Sequence, residues 1–359
     1  MRVKIEDVCD KATSNLKQSD VMNKKGLFPV FGAAGYLGKI DTFHQSKPYV
    51  AIVKDGAGIG RTMLLPAKSS VIGTMQYLLP KDNILPAYLY YVIKARHLEK
   101  YFSGATIPHI YFKDYKNEQF DLVNFEKQKQ IVHKLKVIEK IMTNLNDELK
   151  LFDELIKARF VEVFGDPIKN DKSWKQVKLM DLGLLARGIS KHRPRNAVEL
   201  LGGPYPLVQT GEVANADTYI TSYLSTYSEL GLKQSKMWPK GTLCITIAAN
   251  IAQTSILTFD ACFPDSVVGF IAGERVETVF VHYWFSFLQS SLEALATQVA
   301  QKNLNLKTLS NVEVIVPPIQ LQSEFVNFTK QVDKSKFEVQ KSLEKTQQLY
   351  DSLMQKYFG

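Results

Sequence analysis

From Ile131 onward the apolar residues fall at Ile131, Leu135, Ile138, Met142, Leu145, Leu149, Phe152 and Ile156, in alternating steps of four and three. That is the heptad seam of a coiled coil. The pattern predicts one long helix beginning after Asn124. Its stop is Phe164-Gly165-Asp166-Pro167, with glycine just past the last turn and proline beyond it. A second helix is expected from Pro317-Pro318, since proline suits a first helical turn. Its seam runs through Phe325, Val332, Val339, Leu343, Tyr350 and Leu353, and Thr329, Lys336 and Thr346 interrupt it. Each helix, at about 38 residues, spans about 57 Å at about 1.5 Å per residue. Neither can bury its stripe alone. The economical arrangement packs them antiparallel as a rod with one globular domain at each end; the alternative folds each helix onto its own domain.

The remaining hydrophobic runs are short and bounded by Gly, Pro and Asp. Tyr49 to Val53 reads as a strand, and Arg61 to Leu65 as another after a glycine-rich turn. Thr242 to Ile247 and Thr254 to Leu257 are their counterparts in the second half. Such runs predict mixed or mostly antiparallel sheets, with short helices over Tyr88 to Tyr101 and Val281 to Leu295. The fold class is therefore α+β: two β-rich globular domains separated by two long helices.

The two halves repeat each other. Displaced by 194 positions, Phe112 to Gly165 lies without a gap on Leu306 to Gly359, with ten identities that include Gln128 on Gln322 and Phe164-Gly165 on Phe358-Gly359. About three would be expected by chance at average residue frequencies, so the segment is a duplication. Val3 to Val8 resembles Val177 to Leu182, Phe28-Pro29-Val30 resembles Tyr205-Pro206-Leu207, and Ser70 to Gly73 resembles Ser266 to Gly269. Loops of unequal length on a shared scaffold imply two related sites with different ligands.

Composition narrows the class. A chain of 359 residues with 45% apolar and 23% charged content is an ordinary globular protein of two or three domains. No apolar run approaches the roughly 20 residues of a membrane span. The opening Met1 to Asp7 lacks an apolar signal core, so a cytoplasmic protein is expected. Cys9, Cys244 and Cys262 have no paired spacing and read as buried small hydrophobes. The six histidines show no metal-ligand spacing. The net charge of +9 favours an acidic partner, with the excess mostly in residues 1–165, where 25 Lys+Arg face 18 Asp+Glu.

Lys54-Asp55-Gly56-Ala57-Gly58-Ile59-Gly60-Arg61 superficially suggests a phosphate loop. A strand-like run follows it instead of a helix N-terminus, and the second copy, Ala248 to Gln253, has no glycine. A tight hairpin turn is the better reading. Neither a Gly-x-x-x-x-Gly-Lys-Ser/Thr loop nor an Asn/Asp-Pro-Pro-aromatic methyltransferase signature is present; the one Pro-Pro follows Val316.

The stretch Ala296-Thr297-Gln298-Val299-Ala300-Gln301-Lys302-Asn303-Leu304-Asn305-Leu306, followed by Leu309 to Val316 and Pro317-Pro318, resembles a junction found in specificity subunits of type I restriction–modification systems. There a target-recognition domain meets a long helix. Gly104 to Ile110, leading to Glu126-Lys127-Gln128, resembles the same junction, and Trp174 to Leu179 resembles that family's domain opening. The resemblance implies recognition domains at 1–111 and 166–305 and helical regions at 112–165 and 306–359. It implies a subunit without catalysis that reads a bipartite, asymmetric double-stranded DNA site. It also implies two methyltransferase subunits and restriction/translocase subunits as partners. S-adenosylmethionine, ATP and Mg²⁺ would belong to those partners, with no cofactor on this chain. Two alternatives are a DNA-modifying enzyme with unrecognised catalytic residues and a scaffold that binds only proteins.

Base edges are read by Arg, Lys, Asn and Gln, phosphates mostly by charge. The densest candidate is Arg187, Lys191, His192, Arg193 and Arg195, within a loop marked by Gly188 and Pro194. Lys39, Lys54 and Arg61 are the candidates in the first half, and Gln253 and Lys302 complete the set.

Overall fold

The computed structural model describes every residue except 23, 105–107, 249–250 and 299–304, and for 290–298 only the helical backbone. The chain forms two compact units: Met1–Glu148 with Val339–Gly359, and Leu149–Glu338.

The first unit opens with β1 (Arg2–Lys4), α1 (Ile5–Val8) and β2 (Cys9–Thr13). The strands β3 (Phe28–Gly32), β4 (Gly35–Ile40), β5 (Tyr49–Val53), β6 (Thr62–Leu65), β7 (Ser70–Val71) and β8 (Met75–Pro80) follow. Then come α2 (Pro86–Lys94), α3 (Phe112–Tyr115), β9 (Gln119–Asp121) and the long helix α4 (Phe125–Phe164), which ends in the second unit. That unit continues with β10 (Gln176–Lys178), β11 (Gly183–Arg187), β12 (Leu201–Leu207), α5 (Thr210–Asn215), β13 (Tyr219–Ile220), β14 (Ser225–Tyr227) and α6 (Glu229–Lys233). Next are β15 (Met237–Trp238), β16 (Leu243–Thr246), β17 (Thr254–Leu257), β18 (Ala261–Cys262) and β19 (Val267–Ala272). The chain finishes with α7 (Thr278–Gln298), α8 (Leu306–Ser310), β20 (Glu313–Ile315) and α9 (Ile319–Phe358), whose later half belongs to the first unit.

Among the described residues the two units carry corresponding sheets, the two larger ones each gaining a strand in the second unit. The first has β2-β8-β5-β6, β4-β3-β7 and β1-β9; the second has β11-β19-β16-β17-β13, β14-β12-β18-β15 and β10-β20. Pairing is mostly antiparallel, with β3 and β7, β12 and β18, and β13 and β17 parallel. The class is α+β, as the patterning implies. All five residues of β5 are buried, which explains their unbroken apolar run.

The ladders correct one part of the repeat. Cys9 pairs with Pro80 where Gly183 pairs with Ala272, and Val30 pairs with Ser70 where Leu207 pairs with Cys262. Ser70 therefore answers Cys262, and Ser266 to Gly269 answer Thr74 to Tyr77. A serine, two apolar residues and a glycine are too weak a signal to fix register, whereas ladder hydrogen bonds fix it by the pleat.

Helix α4 begins and ends as expected. The Lys127 N–H donates to Asn124 Oδ1 at 2.9 Å. Gly165 takes φ +79° and its N–H reaches Val161 O at 2.8 Å; a Cβ there would lie 2.0 Å from Asp171 Oδ1. Lys172 Nζ donates to Glu162 O and Val163 O, and Trp174 Nε1 to Phe164 O, so the last carbonyls are satisfied. Helix α2 is shorter than the expected Tyr88 to Tyr101. Pro86 starts it, it ends at Lys94, and His97 then adopts φ 50°. Helix α7 is longer than the expected Val281 to Leu295.

The seam of α4 is buried at Ile131, Leu135, Ile138 and Ile156 and half-buried between them. Within the first unit α4 meets α9 where Tyr350 Oη donates to Glu139 Oε1 at 2.9 Å. Within the second, Phe160 packs on Phe325 at 5.4 Å while Asp153 meets Lys336 Nζ at 2.7 Å, so the helices run antiparallel there. The seam of α9 is not broken at Thr329 and Lys336. Thr329 is fully buried and donates to Val326 O at 2.9 Å. Lys336 lies between Asp153 and Asp217.

Two matched fastenings tie each unit together. Gln128 Oε1 accepts the Leu85 N–H at 2.8 Å, and its Nε2 donates to Asn83 O at 3.2 Å and Val123 O at 2.9 Å. Gln322 repeats this with the Glu277 N–H at 2.9 Å, Arg275 O at 3.1 Å and Pro317 O at 2.8 Å. Both glutamines are fully buried. The far end of the other long helix supplies the second fastening. Phe358 packs on Tyr88 at 5.3 Å, and Phe164 on Phe280 at 4.9 Å.

Candidate nucleic-acid interface

In the second unit Arg187 ends β11 opposite Val268, and Thr246 ends β16 opposite Val267. The loop after Arg187, the turn Pro264 to Ser266 and the turn after Thr246 therefore emerge at one end of the five-stranded sheet. The Gly188 N–H donates to Val267 O at 2.8 Å, and a Cβ at Gly188 would lie 2.3 Å from Phe263 O and Pro264 O. Only glycine lets the loop leave the sheet this closely.

The basic residues of the loop are held by specific partners. Arg187 Nε donates to Asp265 O at 2.8 Å, Arg193 Nη2 lies 3.4 Å from Asp265 Oδ2, and Arg195 Nη2 contacts Asp265 Oδ1. Arg193 Nη1 also donates to Ser190 O at 2.6 Å and His192 O at 2.8 Å. Gln234 Oε1 accepts the backbone N–H groups of Lys191 at 2.7 Å and His192 at 3.1 Å. Arg187, Lys191, Arg193 and Arg195 are exposed, and His192 is half-buried. The structure thus brings these five together. Gln253 is in the neighbouring turn, and its side chain lines a cleft with Asp153, Asp217 and His282. Lys302 lies outside the described residues, as do Ala105 to Ile107, Ala249-Asn250 and Val299 to Leu304 of the junction and turn motifs.

In the first unit the glycine run forms the expected hairpin, with the Gly60 N–H donating to Val53 O and the Val53 N–H to Arg61 O, both at 2.9 Å. Lys54 pairs with Asp55, and Arg61 Nη1 donates to Ala33 O at 2.7 Å. Lys39 is exposed on β4 opposite Pro29, at the other end of the β3–β4 hairpin from Ala33. The hairpin brings up residues that sequence reasoning missed. His109 Nδ1 lies 2.7 Å from Asp55 Oδ1. The half-exposed Tyr111 ring lies parallel to His109 at 6.3 Å and has Lys113 Nζ 5.3 Å from its centroid. Burial pushes the Asp55 carboxyl upward, yet hydrogen bonds from Lys54 and His109 hold it below the usual range.

Asp265 and Gln234 were missed as well. Asp265 lies 78 positions from Arg187, and nothing in Pro264-Asp265-Ser266 distinguishes it from any other turn. The three cysteines are free and buried, as expected. Among the described residues no group of three or more His, Cys, Asp or Glu could hold a metal, and no helix is long and apolar enough to cross a membrane.

A family model described as the type I restriction modification DNA specificity domain matches this chain twice, over residues 1–151 and 171–349. The chain belongs to that family. Its task in such a system is to recognise DNA sequence, without catalysis of its own. It is similar to the putative type I restriction enzyme MjaX specificity subunit of Methanocaldococcus jannaschii, with 22% identity over 294 residues, 75% of this chain and 68% of that protein. The fold is that of the type I restriction–modification S subunit from M. genitalium, with a TM-score of 0.65 at 16% identity, covering 100% of this chain and 96% of that one. A second solved chain, from work on complex assembly and conformational transition of the type I R-M system, gives a TM-score of 0.60 at 16% identity, covering 100% and 97%.

Proposed function

We propose that this chain reads a bipartite, asymmetric double-stranded DNA site, one half with residues 1–111 and the other with residues 166–305. The helical regions 112–165 and 306–359 set the gap between the halves. They also bind two adenine-methyltransferase subunits and, through these, restriction/translocase subunits. S-adenosylmethionine, ATP and Mg²⁺ belong to those partners.

The observation that carries this reading is one scaffold bearing two different loop sets. Ladder correspondence puts Thr13 and Gly73 in the first repeat where Arg187 and Asp265 stand in the second. Related scaffolds with unequal loops suit two unequal half-sites. The proposed contacts are Arg187, Lys191, His192, Arg193, Arg195 and Gln253 in the second repeat, Lys39, Lys54 and Arg61 in the first, and Lys302 near the second helical region.

The test is methylation mapping with the reconstituted methyltransferase complex. Replacing residues 166–305 by those of a relative with another specificity should change one half-site and leave the other intact. A change in both halves, or in neither, overturns the assignment.

A further inference from the structure

Three guanidinium groups converge on a single residue at the sheet end described above. Arg193 and Arg195 contact the Asp265 carboxylate, and Arg187 donates to its backbone carbonyl. The Asp265 side chain is 30% exposed, so the carboxylate lies within reach of a ligand. One negative charge cannot neutralise three guanidiniums, and the cluster keeps an excess of positive charge.

The first repeat is a control within the same chain. Thr13 and Gly73 occupy the corresponding positions, and β2 pairs with β8 there in the register that β11 takes with β19. The sheet therefore forms without the ion cluster, and building the scaffold does not explain it. The chemistry of the cluster does. A guanidinium donates to carboxylate and phosphate oxygens alike, and Arg193 and Arg195 each reach Asp265 through one Nη2, so the carboxylate between them occupies a place that a phosphate fits.

We infer that Asp265 is a placeholder for a DNA phosphate. In the free chain its carboxylate holds Arg193 and Arg195 ready, and a backbone phosphate takes over both guanidiniums on docking. Asp265 is thus a positioning residue that acts through the arginines. This rests on the reading that the loop meets DNA. Phosphates carry no sequence information, so the carboxylate competes equally with every duplex. It weakens non-specific binding and leaves base contacts to decide where the protein stays.

The experiment measures binding of the full chain to a random-sequence duplex of about 40 base pairs, from about 50 to 200 mM salt. Asp265→Asn should bind about fivefold tighter, the scale of one exposed ion pair removed from competition. The salt slope should stay unchanged, because the same phosphates are engaged. Asp265→Glu, which keeps the charge, should return to wild-type affinity. Asp265→Asn binding no tighter than wild type, or a flatter slope, would make the carboxylate a structural prop and overturn the inference. Combined Arg187→Ala, Arg193→Ala and Arg195→Ala separates the two readings. If this variant keeps affinity and slope, the loop is away from DNA and both readings fall. If it weakens binding while Asp265→Asn fails to tighten it, only the placeholder falls.

Discussion

Replacing Gln128 or Gln322 by Leu tests the fastening between each long helix and the unit in which it starts. Each amide makes three hydrogen bonds in a fully buried site, to one backbone N–H and two backbone carbonyls. Leucine fills most of the volume but removes the partner of all three backbone groups, of which the carbonyls of the exposed Asn83 and Arg275 can turn to water. An unsatisfied buried group costs about 1–3 kcal/mol, and the added apolar burial offsets part of the total. We expect each Gln→Leu variant to lose about 3–5 kcal/mol, with the two copies behaving alike. Gln→Glu adds a pH signature, since an ionised carboxylate would face the two carbonyls that the amide now serves. That repulsion raises the folded-state pKa above the unfolded value of about 4.3. Protonation restores one donor, so the deficit should be largest near pH 8 and shrink as pH falls through the folded pKa. Calorimetric unfolding across that range measures both effects. A Gln322→Leu loss below about 1 kcal/mol, or a Gln→Glu deficit independent of pH, would refute the reasoning.

Burial lifts the Asp333 carboxyl to about 6, and its Oδ2 has no hydrogen-bond partner. Its folded pKa exceeds the unfolded one, so the native state binds this proton more tightly and stability falls as pH rises through the window. Asp333→Asn should therefore stabilise at pH 7.5 by about 1 kcal/mol, discounted for its partial exposure, and lose the advantage by pH 4. Melting curves at both pH values check this; equal gains at both would contradict it. Burial also lowers His282 to about 4, and stability from this neutral ring should be lost as pH falls from its unfolded value towards that one. His282→Gln should flatten the acid limb of the wild-type curve. Inserting one heptad after Glu148 and another after Glu338 adds about 10 Å of helix. The mapped gap should grow by roughly three base pairs, or specific binding should vanish through the accompanying rotation; an unchanged gap at full affinity would show that the helices do not set it. Finally, the purified chain with S-adenosylmethionine, Mg²⁺ and ATP should neither methylate nor cut DNA, which a radiolabel assay and gel electrophoresis would reveal.

Helix α4 was legible because a heptad stripe and a Gly-Asp-Pro stop are local signals, and α9 because Pro317-Pro318 marks its start. So were β5 and the hairpin after it, where an unbroken apolar run meets glycine. Register was less legible. The serine at 266 drew the repeat four residues out of place, because only ladder partners far along the chain decide it. Lys336 read as an interruption because its partners Asp153 and Asp217 are brought to it by folding. The candidate interface was half visible. A cluster of Arg and Lys announces itself by composition, while Asp265 and Gln234, which shape it, are single residues reached only through tertiary contacts. His109 was legible as a residue but not as the partner of Asp55, 54 positions earlier.

Tyr350 and Phe358 belong to the same hydrophobic core as Val3, Ile5 and Val50. The consequence concerns synthesis on the ribosome. Chains generally fold N-terminal part first as they emerge. Here the second unit is one continuous stretch, Leu149–Glu338, whereas the first needs Val339–Gly359 to complete its core. The unit made first therefore has to wait, with part of its apolar surface uncovered, until the other has been fully translated. The order of completion runs opposite to the order of translation. A nascent chain halted between the two parts of the first unit is the species most in need of a chaperone.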